Sequence, residues 1–166
     1  MKIMGLDLSL TSTGVAVFDS ASISTQVISS SHKAERRLQD LRDKIMGVVS
    51  KQKVDLCVVE GYAFGRPNVM APMGELGGVV KLALYMDGIE TLIIPPTRVK
   101  KFATGRGQAK KDEVRLSVYK RWGFEAKTND EIDAYVLVRI GMAYAGMDNT
   151  LTKSQQEIIN SVREGK

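Results

Sequence analysis

The sequence predicts one α/β domain built on a mixed five-stranded sheet with helices on both faces. Three observations predict it. Residues 1–30 read as three successive β-prone segments joined by short polar turns. Two continuous apolar runs, VDLCVV at 54–59 and TLII at 91–94, have the composition of parallel strands buried on both faces. Between and after them lie segments with apolar residues at helical spacing. A chain of 166 residues, 43% hydrophobic and 26% charged, is of ordinary size and composition for such a domain.

Taken in order, MKIMGLD forms the first strand, and Leu8 to Thr13 form a Ser/Thr-rich turn. Gly14 then opens a second strand. Residues 24–30 are a third, expected antiparallel at the sheet edge. Leu38, Leu41, Ile45, Val48 and Val49 mark an amphipathic helix over 33–52. The strand at 54–60 ends on Glu60, and 61–72 is a Gly/Pro-rich loop carrying Tyr62, Phe64 and Arg66. A helix over 73–87 has Gly74, Gly77 and Gly78 near one side. Pro95 and Pro96 stop the next strand at 91–95. A short helix at 97–103 and a basic turn lead to a helix at 111–122, with Asp112 and Glu113 where the helix dipole favours acids. Thr128 and Glu131 have capping-box spacing and open a long apolar helix to about Ala145. The expected division is 1–147 for the domain and 148–166 for a short C-terminal helix or tail.

Charge is uneven along the chain. The net charge is +5, but residues 97–127 hold ten Lys or Arg against three acids, leaving the remainder slightly acidic. A basic block on a mildly acidic body points to a polyanionic partner, nucleic acid first, and a solvated helix face is the plainer alternative. No stretch approaches the ~18–20 apolar residues of a membrane span, and the N-terminus has no signal-peptide core. The single cysteine, Cys57, lies in an apolar run, which excludes an intrachain disulfide and suits a reducing cytoplasm. With one histidine, His32, and that one cysteine, a His/Cys zinc site is excluded.

The acids carry the chemistry. Strand alternation places Ile3, Gly5 and Asp7 on one face, and Met4, Leu6 and Leu8 on the other. An aspartate there either caps the following turn or meets a cation, since burying a bare carboxylate costs several kcal/mol or more. Glu60 ends a second buried strand, and sites form at the carboxyl ends of such strands. Asp130 and Asp133 lie three apart at a helix start, on the face that Leu137 continues inward. Four acids converging this way need divalent cations, and an oxygen-only donor set selects Mg²⁺, with Mn²⁺ as substitute. Two such ions suit phosphodiester hydrolysis.

These segments together resemble the RuvC-type Holliday junction resolvases, a branch of the ribonuclease H-like superfamily, from about residue 3 to residue 145. GLDLSLTSTG at 5–14 resembles the family's opening strand and turn. VVEGYAF at 58–64 resembles its second acidic strand end and aromatic loop, and GELGGVV at 74–80 the helix that follows. VKKFATGRGQAKKDEV at 99–114 is similar to its lysine-bearing Gly-x-Gly segment, and DEIDAYVLV at 130–138 to its terminal Asp-x-x-Asp-Ala helix. The resemblance implies a homodimer that cuts four-way DNA junctions symmetrically. It implies Asp7, Glu60, Asp130 and Asp133 as ligands of two Mg²⁺ ions, with Lys100 and Lys111 near the scissile phosphate. Lys101, Arg106 and Lys110 in the same block, and Arg66 in the loop, are further candidate DNA contacts. The resemblance also implies that either Tyr62 or Phe64 stacks on an unpaired base.

The chain departs from the family at Leu8–Ser9, where Pro-Gly is usual. That divergence and the extra length suit a phage or mobile-element member. The helix at 73–87 is the candidate dimer patch, through Leu76, Val79, Val80 and Ala83 beside its glycines. Alternatives are a related nuclease acting on flaps, forks or RNA–DNA hybrids, and a non-catalytic branched-DNA-binding dimer. A sugar-kinase-like ATPase would need a second phosphate loop, and this chain is too short for the duplicated fold.

Overall fold

The computed structural model describes residues 1–61 and 67–165. Strands β1 (Ile3–Asp7), β2 (Thr13–Phe18) and β3 (Ile23–Ile28) come first, then helix α1 (Ala34–Gln52) and strand β4 (Leu56–Glu60). Helix α2 (Pro67–Met86) and strand β5 (Glu90–Ile94) follow. Four helices complete the chain: α3 (Pro96–Thr104), α4 (Lys111–Trp122), α5 (Asn129–Tyr144) and α6 (Lys153–Arg163). The strands form one sheet in the order β3-β2-β1-β4-β5. β1 pairs antiparallel with β2 and parallel with β4, and β3 is the antiparallel edge.

The period-2 alternation of β1 decides which core each residue enters. Met4 and Leu6 are fully buried with Cys57 and Val59 against Leu41 and Ile45 of α1 and Leu76, Val80 and Leu84 of α2. Ile3 lies on the opposite face with Leu56, Val58 and Ile94, under α3, α4, α5 and α6. Helices therefore cover both faces, as the apolar runs of β4 and β5 require. The capping box of Thr128 and Glu131 opens α5 as its spacing predicts. Ile158 and Ile159 of α6 are buried in the second core, and Gln155 Nε2 donates to the Phe102 carbonyl at 2.9 Å.

The 61–72 segment departs from its expectation as a loop throughout, because α2 begins at Pro67. Proline is pre-organised for the first helical position, so Pro67 starts the helix it was expected to precede. Pro72 lies inside it, and the buried stripe of Leu76, Val80 and Leu84 holds the helix to the sheet beyond that point.

Two glycines set the distance between α5 and the sheet. A Cβ at Gly5 would overlap the carbonyl of Ala134 and lie 3.0 Å from Leu137 Cβ. One at Gly14, the register partner of Asp7, would overlap the carbonyl of Asp130. Backbone lies against backbone here, so no rotamer change relieves the overlap. Gly14→Ala is expected to cost about 1–3 kcal/mol of stability, read as a lower denaturant midpoint. It should weaken metal binding as well, because the first turn of α5 must lift.

Candidate active site

β1 and β4 are parallel neighbours, so Asp7 and Glu60 end adjacent strands at one edge of the sheet. Both side chains project to the α5 face, with Gly5 and Val58 respectively. The carboxyl groups of Asp7 and Glu60 hydrogen-bond to each other, which requires that they share a proton. Asp130 and Asp133 come from the first turns of α5, which the glycine contacts set down over β1 and β2. Ser12 Oγ, from the turn after β1, donates to Asp130 Oδ2 at 2.5 Å. This link joins residues 118 apart in sequence, beyond the reach of any local sequence pattern. The Ser/Thr density of 8–13 was the available signal, without a partner.

Burial raises the pKa of Asp7 most, and the negative charges of Glu60, Asp133 and Asp130 raise it further. Glu60 is also raised, again mainly by burial, while Lys100 and Lys111 pull it back. Asp133 is pushed up to about 6 by burial, opposed first by Lys111. The two strands and the helix thus bring four carboxyls within range of one another, and two lysines act on them. Lys100 is half-buried on α3 and Lys111 is exposed at the start of α4.

The other basic candidates are disposed differently. Lys101 Nζ lies 3.6 Å from Glu157 Oε2 on α6. Arg106 pairs with Glu113, and the same glutamate accepts from the backbone N–H of Lys110 at 2.7 Å. Tyr62, Phe64 and Arg66 lie outside the described residues.

Among the described residues no three acidic side chains are disposed to ligate one ion as they stand. The donor set nevertheless fits a hard divalent cation: half-buried carboxylates with only oxygen donors and protons held against their normal acidity. Charge neutralisation by a cation would release those protons.

A mixed sheet of this order, with carboxylates at the ends of its two central parallel strands and on the helix crossing them, defines a ribonuclease H-like nuclease. The family model for the crossover junction endodeoxyribonuclease RuvC matches residues 3–140. The chain is 32% identical to the RuvC of Carboxydothermus hydrogenoformans over 160 residues, 88% of this chain and 95% of that one. It is 30% identical to the RuvC of Clavibacter michiganensis, covering 92% of this chain and 83% of that one. Among solved structures, Thermus thermophilus RuvC superposes with a TM-score of 0.71 at 22% identity, covering 89% of this chain and 96% of that one. The same protein in complex with Holliday junction substrate gives 0.72 at 20% identity, covering 89% and 97%. The chain belongs to the RuvC family of endodeoxyribonucleases, whose activity depends on a divalent metal ion.

The raised carboxyls fix the sign of a pH effect. The folded chain binds more protons than the unfolded one between the ordinary carboxylate pKa and the raised values. Metal-free stability is therefore highest near pH 4–5 and falls as pH rises through the raised values. Asp7→Asn should flatten this fall and raise the metal-free melting temperature at pH 8 by several degrees, at ~2–4 °C per kcal/mol released. Added Mg²⁺ should restore the wild type at pH 8 and not the variant, as thermal melts at pH 5 and 8 would show.

Proposed function

We propose that this protein resolves four-way DNA junctions by paired, metal-dependent phosphodiester hydrolysis. One observation carries the reading: Asp7, Glu60, Asp130 and Asp133 gather at the strand ends beside Lys100 and Lys111. The four carboxylates would hold two Mg²⁺ ions, with Mn²⁺ as substitute. When bound, such ions activate a water and stabilise charge on the leaving oxygen. Lys111 and Lys100 hold the scissile phosphate against the acid cluster, offsetting a repulsion that would otherwise exclude a polyanion. Lys101, Arg106 and Lys110 extend that positive surface along the junction backbone. Tyr62, Phe64 and Arg66 follow Glu60 directly in the chain, which favours base stacking and phosphate contact close to the cut. Action on DNA supports a cytoplasmic location, in a bacterial or phage-infected cell.

Asp7→Asn and Glu60→Gln are each expected to abolish cleavage of a labelled four-way junction in Mg²⁺, a loss of at least about 100-fold, while junction binding persists. Near-normal cleavage by either variant would remove the site assignment. Running three-way, flap and hybrid substrates alongside discriminates the related nuclease readings. A wild type that binds junctions and never cuts them would be the non-catalytic dimer.

A two-fold substrate is met best by a two-fold dimer. The outward face of α2 supports one: Leu82, Tyr85 and Met86 are 57%, 80% and 75% exposed, beside the exposed Gly78. Of the four apolar residues expected at the interface, Leu76 and Val80 are fully buried against the sheet instead and Val79 and Ala83 are half-buried, because a helix with apolar residues all round turns its best-packed stripe inward. Tyr85→Glu with Leu82→Glu is expected to give a folded monomer by sedimentation and circular dichroism that no longer makes paired nicks. Val80→Glu should lose the fold, since it buries an unpaired charge.

A further inference from the structure

We infer that Ser12 is a positioning residue for the metal site, holding the Asp130 carboxylate in one orientation, and that Ser9 shapes the turn that presents it. The inference rests on the reading of Asp130 as a metal ligand. It goes beyond that reading by assigning work to the turn in which this chain departs from its family, at Leu8–Ser9.

The turn is closed by side-chain hydrogen bonds. Ser9 Oγ accepts from the backbone N–H groups of Thr11 and Ser12, both at 3.3 Å. Thr13 Oγ1 accepts from the Ser9 N–H at 3.1 Å and donates to the Ser9 carbonyl at 2.8 Å. Thr13 is fully buried, and Leu8 is 7% exposed in the core beneath α1 and α2, so both ends of the turn are anchored. A Pro-Gly pair would hold a turn by restricting the backbone. Here hydroxyl groups do so, as Ser and Thr do in local side-chain-to-backbone motifs.

The anchored turn points one more hydroxyl outward. Ser12 Oγ meets Asp130 Oδ2 at 2.5 Å, at the short end of the range for an O–H donor. Oδ1 accepts nothing from the described residues, so it is the oxygen left for a cation. A second hold acts on the same helix turn from outside: Glu131 accepts from Thr25 Oγ1 of β3 at 3.1 Å and from Thr128. Asp130 is thus gripped from the turn while the next residue, Glu131, is tied through its side chain to the edge strand. Metal-ligating carboxylates are commonly oriented by such outer hydrogen bonds, and losing one typically costs about 10–100-fold in metal affinity.

The test is Mn²⁺ binding to the full chain without DNA, measured by calorimetry, with thermal melts and junction nicking alongside. Ser12→Ala is expected to weaken Mn²⁺ binding about 10–100-fold and to shift half-maximal nicking to higher Mn²⁺, with the maximal rate regained at saturation. Ser12→Thr, which keeps the hydroxyl, should stay near wild type. Ser9→Ala, which loosens the turn without touching Asp130, should fall between them. Asp130→Asn should lose affinity, and Ser12→Ala added to it should lose no more. Wild-type affinity in Ser12→Ala alongside a defect in Asp130→Asn would overturn the positioning role and leave the metal-site reading standing. Wild-type affinity in Asp130→Asn would overturn the metal-site reading itself. A Ser12→Ala defect that tracks lost thermal stability, unrescued by Ser12→Thr, would make the contact a structural tie and overturn the inference.

Discussion

The approach of α5 to the paired strands β1 and β2 is the constraint on which the rest depends. Gly5 and Gly14 remove two side chains at the crossing, and the carbonyls of Ala134 and Asp130 occupy the space. Lower down, Gly141 performs the same service for Ile3 and Val58, whose methyl groups a Cβ would meet at 2.6 and 2.9 Å. A helix seated this closely cannot slide or rotate without overlap, because cores at native density have no slack to absorb it. Its first turn therefore delivers Asp130 and Asp133 to a fixed place over the ends of β1 and β4. The geometry of the acids is a packing result before it is an electrostatic one.

Electrostatics works against that packing. Desolvation is the largest influence on Asp7, Glu60 and Asp133, and mutual repulsion adds to it on each. Such a group of carboxyls destabilises the metal-free fold at neutral pH and can persist only because two apolar cores, one on each face, outweigh it. Lys100 and Lys111 offset part of that repulsion, and among the described residues neither forms an ion pair that would quench the site. A lysine pressed into a salt bridge with Glu60 would stabilise the fold and compete with a cation for the same oxygens. Lys101 and Arg106, which do have acidic partners in Glu157 and Glu113, stand on the outer surface of that block.

How much of this was legible in the sequence depends on range. The alternation of Ile3, Gly5 and Asp7 against Met4 and Leu6 is local, and it correctly separated the two cores. The capping box at Thr128 and the inward face of α5 are also local, and both were readable. The seating of Gly14 on Asp130 was not, because a glycine after a turn has a sufficient local explanation and its real partner lies more than a hundred residues away. Ser12 was hidden for the same reason. The inner face of α2 was misjudged for a different one. Leu76, Val79, Val80, Leu82, Ala83 and Leu84 leave no polar side from which to infer orientation, so pattern alone could not say that Val80 turns inward and Leu82 outward.

That helix also links the site to assembly. β4 ends on Glu60, and α2 begins seven residues later at Pro67, so the strand end that bears an acid and the helix that bears the exposed stripe are joined by one short connection. The buried stripe of α2 packs on Met4, Leu6, Cys57 and Val59, the residues behind Asp7 and Glu60 on the other side of the sheet. A partner docked on Leu82, Tyr85 and Met86 therefore bears on the same rigid layer that backs the carboxylates. In such a dimer the separation of the two acid clusters is set by helix and sheet and not by loops, and a fixed separation is what two cuts placed symmetrically across one junction require.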